Sequence, residues 1–244
     1  MVIRDYLARK LENGTVHVTL IEPIKLVPEA ASRLARTAQE VGSDLILVSG
    51  SSGLTQRRLT ETVKAIKNKV SIPVVFLPGG GGALSFDFDA YFFLSLLNSR
   101  NNRFITGTHS KISPVLKRLE VEVVPVGYIV VEPGMKLAEI GDVDLVPRDN
   151  TWSAIGYATT AEFFGMSYVY LEAGSGAAQP VPASMIRAVK KEISIPLIVG
   201  GGIRTAIDAR RVRQAGADVV VTGTVIENAG YRERLRSILS ALKE

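Results

Sequence analysis

Short apolar runs rich in β-branched residues recur along the chain, and most give way to a segment whose apolar positions repeat at helical spacing. HVTLIEP (17–23) precedes a helical pattern at 30–41, and DLILVSG (44–50) precedes one at 54–70. PVVFLPG (73–79) and AYFFLSLLNS (90–99) follow, and then EVVPVGYIVVEPG (122–134) leads to a helical stretch at 151–164. YVYLEAG (168–174), PLIVGGG (196–202) and DVVVTGT (218–224) alternate with helical patterns at 182–193, 205–215 and 231–242.

Nearly every strand candidate is apolar throughout, as in strands covered on both faces, and most are separated by helices, so the sheet is expected to be parallel. Eight β units without a Pro/Ser-rich linker favour an α/β fold of one kind, a single (β/α)8 TIM-type barrel spanning 1–244 as one domain, over an open doubly wound sheet. The third unit is irregular, because PGGGGALSFDFD (78–89) stands where a helix is due.

Composition narrows the picture. At 244 residues, 46% hydrophobic and 22% charged, the chain is long and apolar enough to bury a large core. With no cysteine it has neither disulfides nor thiolate metal sites, which fits a reducing compartment and makes the cytoplasm the expected location. The N-terminal MVIRDYLARKLENG carries charges throughout, unlike a signal peptide, and no uncharged apolar run approaches the roughly 18 residues of a membrane span. The net charge of +5 is spread over helix faces such as Arg57, Arg58 and Lys64, so no nucleic-acid partner is expected. A positive field does favour phosphorylated substrates.

Candidate chemistry gathers at the C-terminal ends of the strands, the rim on which barrel enzymes carry their sites. PLIVGGGIRT and DVVVTGT end the seventh and eighth strands, where barrels commonly bind phosphate. Glycine there leaves backbone N–H groups free to point at a phosphate, aided by the positive end of a following helix. Gly201, Gly202, Gly223 and Thr224 are the expected donors, although tight turns alone would also call for glycine.

In YVYLEAGSG, alternation puts Tyr168, Tyr170 and Glu172 on one face and Val169, Leu171 and Ala173 on the other. Glu172 then sits beside a tyrosine at the rim, as a proton acceptor for a hydroxyl or as the structural partner of a nearby base. Gly174, Ser175 and Gly176 let a substrate approach the backbone. Glu22 and Ser51, on neighbouring strand ends, suit magnesium, which takes few protein oxygens, but the spacing equally fits plain surface groups. His17 and His109 form no spaced ligand pair for zinc, and the loop 79–82 reads as flexible or as a lid over an apolar ligand.

TLIEP, VSGSSG, SLLNSRN, GYIVVEPG, PRDN, YLEAGSGA, VGGGIRT and VTGTVIE occur in that order over most of the chain. With them the sequence resembles the geranylgeranylglyceryl phosphate synthase family, archaeal-type relatives of the bacterial heptaprenylglyceryl phosphate synthases. The resemblance implies a magnesium-dependent barrel prenyltransferase that joins sn-glycerol 1-phosphate to geranylgeranyl diphosphate. It implies that Tyr170, Leu171, Glu172, Ala173, Gly174, Ser175, Gly176, Gly201, Gly202, Gly223 and Thr224 hold glycerol phosphate, with Tyr170 and Glu172 catalytic and Glu22 and Ser51 holding Mg2+. Glu22 departs from the family's usual aspartate and is longer by about one methylene. A homo-oligomer and transient contact with a membrane surface are also expected. A flavin-dependent barrel oxidoreductase or isomerase and a non-catalytic phosphate-ligand binding protein are the competing readings, since GGGIR and TGT also suit a flavin phosphate.

Overall fold

The computed structural model describes residues 2–50, 53–79, 83–227 and 230–243. Each apolar run forms a strand: β1 (Val16–Ile21), β2 (Leu45–Gly50), β3 (Val74–Pro78), β4 (Ala90–Leu96), β5 (Val123–Val130), β6 (Tyr168–Glu172), β7 (Leu197–Gly200) and β8 (Val219–Thr222). All neighbours pair in parallel, and β8 returns to β1, so the sheet closes into a barrel. Closure explains the doubly apolar strands. Val18, Leu47, Val126 and Ile198 fill the interior, while Ile46, Val48, Val169 and Val199 face the surrounding helices.

The helices follow the periodic segments. α1 (Ile3–Leu11) precedes the barrel, α2 (Pro28–Val41) follows β1 and α3 (Gln56–Lys67) follows β2. The apolar spacing places the third helix at 54–70, but it begins at Gln56 because the Thr55 hydroxyl accepts from the Arg58 N–H at 3.2 Å and caps it. After β4 a π-helical turn, Arg103–Gly107, runs into α4 (Thr108–Arg118), and after β5 come α5 (Met135–Ile140) and α6 (Thr151–Phe163). α7 (Ala183–Glu192), α8 (Ala206–Gln214) and α9 (Tyr231–Lys243) complete the ring. Among the described residues no helix is long and apolar enough to cross a membrane.

Two features lie beyond the periodicity. The charged N-terminus is an amphipathic helix: Ile3 and Leu7, one turn apart, are buried in the interior cluster and plug the bottom of the barrel. The Glu122 carboxylate accepts from the Ile3 and Arg4 N–H groups at 2.6 and 3.0 Å, anchoring the start of α1. The second feature is the irregular third unit, where β3 leads to β4 with no helix described between them. Aromatic rings occupy that flank instead. Phe88 stacks on Phe76 with centroids 4.8 Å apart, and Tyr91 meets Phe76 edge-on at 5.2 Å. The Tyr91 hydroxyl donates to the Ser85 carbonyl and ties the segment down.

Candidate active site

The β5–β6 pairing sets Tyr128 opposite Tyr170 and Val130 opposite Glu172, so the side chains of Tyr128, Tyr170 and Glu172 converge inside the rim. The two rings meet edge to face at 4.7 Å. Both phenols hydrogen-bond the Glu172 carboxylate, and the Gly174 N–H donates to its Oε1 at 2.7 Å. Glu172 is only 6% exposed, and burial pushes its carboxyl above the ordinary range, opposed by those three donors. Burial, with the carboxylate alongside, pushes both phenols well above their ordinary value. The tyrosines therefore stay protonated as donors, and Glu172 is a stronger proton acceptor than an exposed glutamate.

The glycines of VGGGIRT make room for this cluster. A Cβ on Gly200 would collide with the Tyr170 hydroxyl and come within 2.7 Å of Glu172 Oε2. Gly201, at φ +79°, would drive a Cβ into Glu172 Oε1 and to 2.7 Å from the Gly174 nitrogen. Gly223 differs: its nearest atom, on Leu20, is 3.4 Å from an added Cβ, so the folded chain does not itself require glycine there. The expectation that the following helix lends its positive end holds poorly for α8. Its first turn is closed by a capping box in which Thr205 and Asp208 satisfy each other's backbone, and the Asp208 carboxylate already occupies that end.

A cavity of about 240 Å³ opens here, lined by Tyr128, Tyr170, Glu172, Ser175, Gly201, Gly202, Gly223 and Thr224. Most of the expected acceptor residues are thus brought together. Leu171, Ala173, Gly174 and Gly176 are the exceptions: the Leu171 and Ala173 side chains turn outward into the layer between barrel and helices, while the Ala173 N–H and carbonyl are spent on Gly200 and Gly134. Gly174 gives its N–H to Glu172, and Gly176 offers its carbonyl to Arg204 at 2.6 Å. Tyr128, Lys136 and Arg204 also line the cavity and were missed. For Tyr128 a signal exists, since GYIVVEPG places a tyrosine at the same level of β5 as Tyr170 of β6.

Glu22, just beyond β1, lines the same cavity, its Oε1 3.0 Å from Lys25 Nζ and 3.5 Å from the Ser175 hydroxyl. Ser51, its expected companion, lies outside the described residues. Because Ile21 pairs with Val48, Ser49 is the next residue beside Glu22, and its buried hydroxyl has no hydrogen-bond partner among the described residues. A carboxylate with hydroxyls nearby fits magnesium, which completes its shell with water and substrate phosphate.

A second cavity of about 290 Å³ lies on the flank between β3 and β4, where no helix is described. Phe76, Leu84, Phe93, Phe104, Ile112 and Leu116 make its wall mostly apolar, with Arg103, His109 and Lys111 also bordering it. It shares Pro78, Gly79 and Leu94 with the polar cavity, so the two are arms of one depression.

The geometry agrees with what the chain is similar to. It is 46% identical over 241 residues to geranylgeranylglyceryl phosphate synthase of Pyrococcus furiosus, covering 99% of this chain and 96% of that protein. The crystal structure of (S)-3-O-geranylgeranylglyceryl phosphate synthase from Thermoplasma acidophilum in complex with its substrate sn-glycerol-1-phosphate superposes with a TM-score of 0.97 at 40% identity, covering 100% of this chain and 99% of that one. A thiamine phosphate pyrophosphorylase from Pyrococcus furiosus, at 16% identity and TM-score 0.63 over 99% and 98% of the two chains, shares the fold alone. The family model matches residues 8–242, and on that match and these identities the chain belongs to the PcrB family.

Proposed function

We propose that the chain is a prenyltransferase that joins sn-glycerol 1-phosphate to geranylgeranyl diphosphate, giving geranylgeranylglyceryl phosphate and diphosphate, the first ether-forming step of archaeal-type lipids. The observation that carries this is the junction of the two arms at Pro78, Gly79 and Leu94, where a phosphorylated alcohol in the arm lined by Glu172 and an isoprenoid in the apolar groove would meet. The relatives bear the name of this enzyme, and one of them is known with sn-glycerol-1-phosphate bound.

On this reading the acceptor's phosphate rests on backbone N–H groups of the turns at Gly201, Gly202, Gly223 and Thr224. Arg204 and Lys136 add positive charge at the rim. Glu172 accepts the proton of the glycerol 3-hydroxyl as its oxygen bonds to the allylic carbon, and the bond from that carbon to diphosphate breaks with its electron pair leaving on diphosphate. Tyr128 and Tyr170 keep the carboxylate aimed. Magnesium, held by Glu22 and Ser51, would offset the charge of the departing diphosphate. A homo-oligomer is supported by Trp152, Phe163 and Phe164, large apolar side chains left mostly exposed along and just beyond α6. The prenyl donor implies brief contact with a membrane surface.

Radiolabelled sn-glycerol 1-phosphate offered with donors of several chain lengths tests acceptor, donor and activity together. Product is expected with Mg2+ and none in excess chelator, and Glu22→Gln should lose most turnover while keeping acceptor affinity. Full activity in excess EDTA would remove the metal from this reading. Acceptor binding without turnover on any donor would leave a phosphate-binding protein in its place.

A further inference from the structure

Among the described residues, a connected strip of buried polar side chains runs through the layer between barrel and helices. His17 and Thr19 on β1 turn outward there, Ser43 precedes β2, and Thr222 ends β8, all at most 4% exposed. His17 Nδ1 lies 3.0 Å from the Ser43 hydroxyl and Nε2 lies 3.0 Å from the Thr222 hydroxyl, while Ser43 and Thr19 meet at 3.0 Å. Thr222 also lines the polar arm and immediately precedes Gly223 and Thr224.

We infer that His17 is a positioning residue: through Thr222 it fixes the end of β8 that carries the phosphate-binding turn. This rests on the acceptor reading given above. The pairing of β8 with β7 ends at Val221, and its pairing with β1 ends at Thr222, so beyond that residue the sheet no longer holds the strand end. The threonine side chain adds a directional tether at that point, ahead of the turn whose Val225 and Ile226 are buried in the core. A neutral imidazole has one donor and one acceptor fixed in a rigid plane, so a single ring satisfies Ser43 and Thr222 together and selects the threonine rotamer.

The ring is neutral at ordinary pH. Burial pushes it down to about 4, with Lys243 acting in the same direction and Asp44 against it. Asp44 accepts the His17 backbone N–H at 3.1 Å and is itself paired with Lys10 at 2.9 Å, so its charge is already engaged. A histidine retained only for packing would not need its far nitrogen on the one residue that leads into the turn.

Calorimetric titration of the full chain with sn-glycerol 1-phosphate tests this, alongside steady-state kinetics. His17→Asn keeps an amide near Ser43 but falls short of Thr222, and Kd for the acceptor should rise roughly tenfold, about the worth of one buried hydrogen bond. His17→Gln reaches the Thr222 side and should restore Kd to within about threefold of wild type. Thr222→Val should weaken binding as His17→Asn does, and the pair should add little to either alone, since both remove the same link. The KM for the prenyl donor should not move. If both variants lower the melting temperature yet bind the acceptor like wild type, His17 is merely structural and the inference fails. Should His17→Asn not fold, an unchanged Kd in Thr222→Val overturns it equally. If the wild-type chain binds no acceptor, the functional reading falls and takes this inference with it; normal wild-type binding with unmoved variants overturns the inference alone.

Discussion

The two arms of the cavity are built by opposite means. On the acceptor side, β6, β7 and β8 end in residues held by directional bonds: Glu172 takes hydrogen bonds from Tyr128, Tyr170 and Gly174, and Arg204 ties the next turn at Gly176. On the donor side, β3 and β4 and the π-helical turn before α4 enclose the groove with ring stacking and aliphatic contact, and no helix is described between the two strands. A charged acceptor must be met by dipoles already aimed, because reorienting them during the reaction would cost part of the stabilisation. An isoprenoid chain asks only for a dry surface of the right width. Regular strand ends serve the first need and an irregular flank the second.

The largest effect should come from breaking the acceptor arm at its carboxylate. Glu172→Gln keeps the shape and removes the base, and kcat should fall by roughly 10²–10⁴-fold, the usual range for general-base catalysis. A purely hydrogen-bonding Glu172 would instead raise KM for the acceptor and leave kcat nearly intact. Its pH profile adds a second check. The base works only when ionised, and burial raises its pKa, so activity should fall with acidification at a pH above the ordinary carboxylate range. Tyr128→Phe removes a donor that favours the anion and should move that acidic limb further up. Steady-state kinetics across pH, on variants with unchanged circular dichroism, would read both.

The same contrast sets what the chain's letters reveal. Strands covered on both faces have no choice of residue, so all eight can be read from apolar runs, and rim chemistry is visible where polar residues and glycine interrupt them. Sequence is weaker where one letter serves two physical ends. Gly201 reads as a phosphate donor, yet it must also lack a Cβ so that Glu172 can sit where it does. SLLNSRN and PRDN read as family motifs, but Asn98 clamps β5 through the Val130 N–H and carbonyl, and Arg148 joins the carbonyls of Glu132 and Pro180 across two loops. α1 is hidden because only Ile3 and Leu7 of its residues are buried, too few to stand out among its charges. The groove leaves the faintest trace, an absent helix, since an apolar wall assembled from distant segments has no local period. Of the loop 79–82, read as flexible or as a lid, residues 80–82 lie outside the described residues.

The donor arm can be broken without touching the acceptor arm. Ile112 lines the groove on α4 and is half-buried, so Ile112→Glu puts a charge beside the isoprenoid path without disturbing the barrel interior. Loss of contact with about three methylenes of the donor, at ~0.8 kcal/mol each, corresponds to a KM for geranylgeranyl diphosphate raised on the order of 50-fold. Acceptor affinity, measured by calorimetry without donor, should stay within about twofold. A rise in acceptor Kd of the same size would mean that the two arms are not independent, and the contrast drawn from their construction would not hold.

The smallest effect separates glycines that serve the fold from the one that is free to serve the ligand. Gly202, at φ +71°, would press a Cβ onto the Gln179 carbonyl and to 2.7 Å from the Pro180 nitrogen, so Gly202→Ala should lower stability, by about 1–3 kcal/mol, before any question of binding arises. Gly223 has ordinary backbone angles and finds only Leu20 at 3.4 Å from an added Cβ, so Gly223→Ala should fold with an unchanged melting temperature. Its methyl would still stand in the cavity, between the backbone N–H groups and an incoming phosphate, and the acceptor Kd should rise by roughly fivefold. Scanning calorimetry and titration of the two variants side by side would show one change in stability and the other in affinity. Equal affinity in Gly223→Ala and wild type would mean that the phosphate rests on the Gly201 turn alone, and the acceptor arm would lose its contribution from β8.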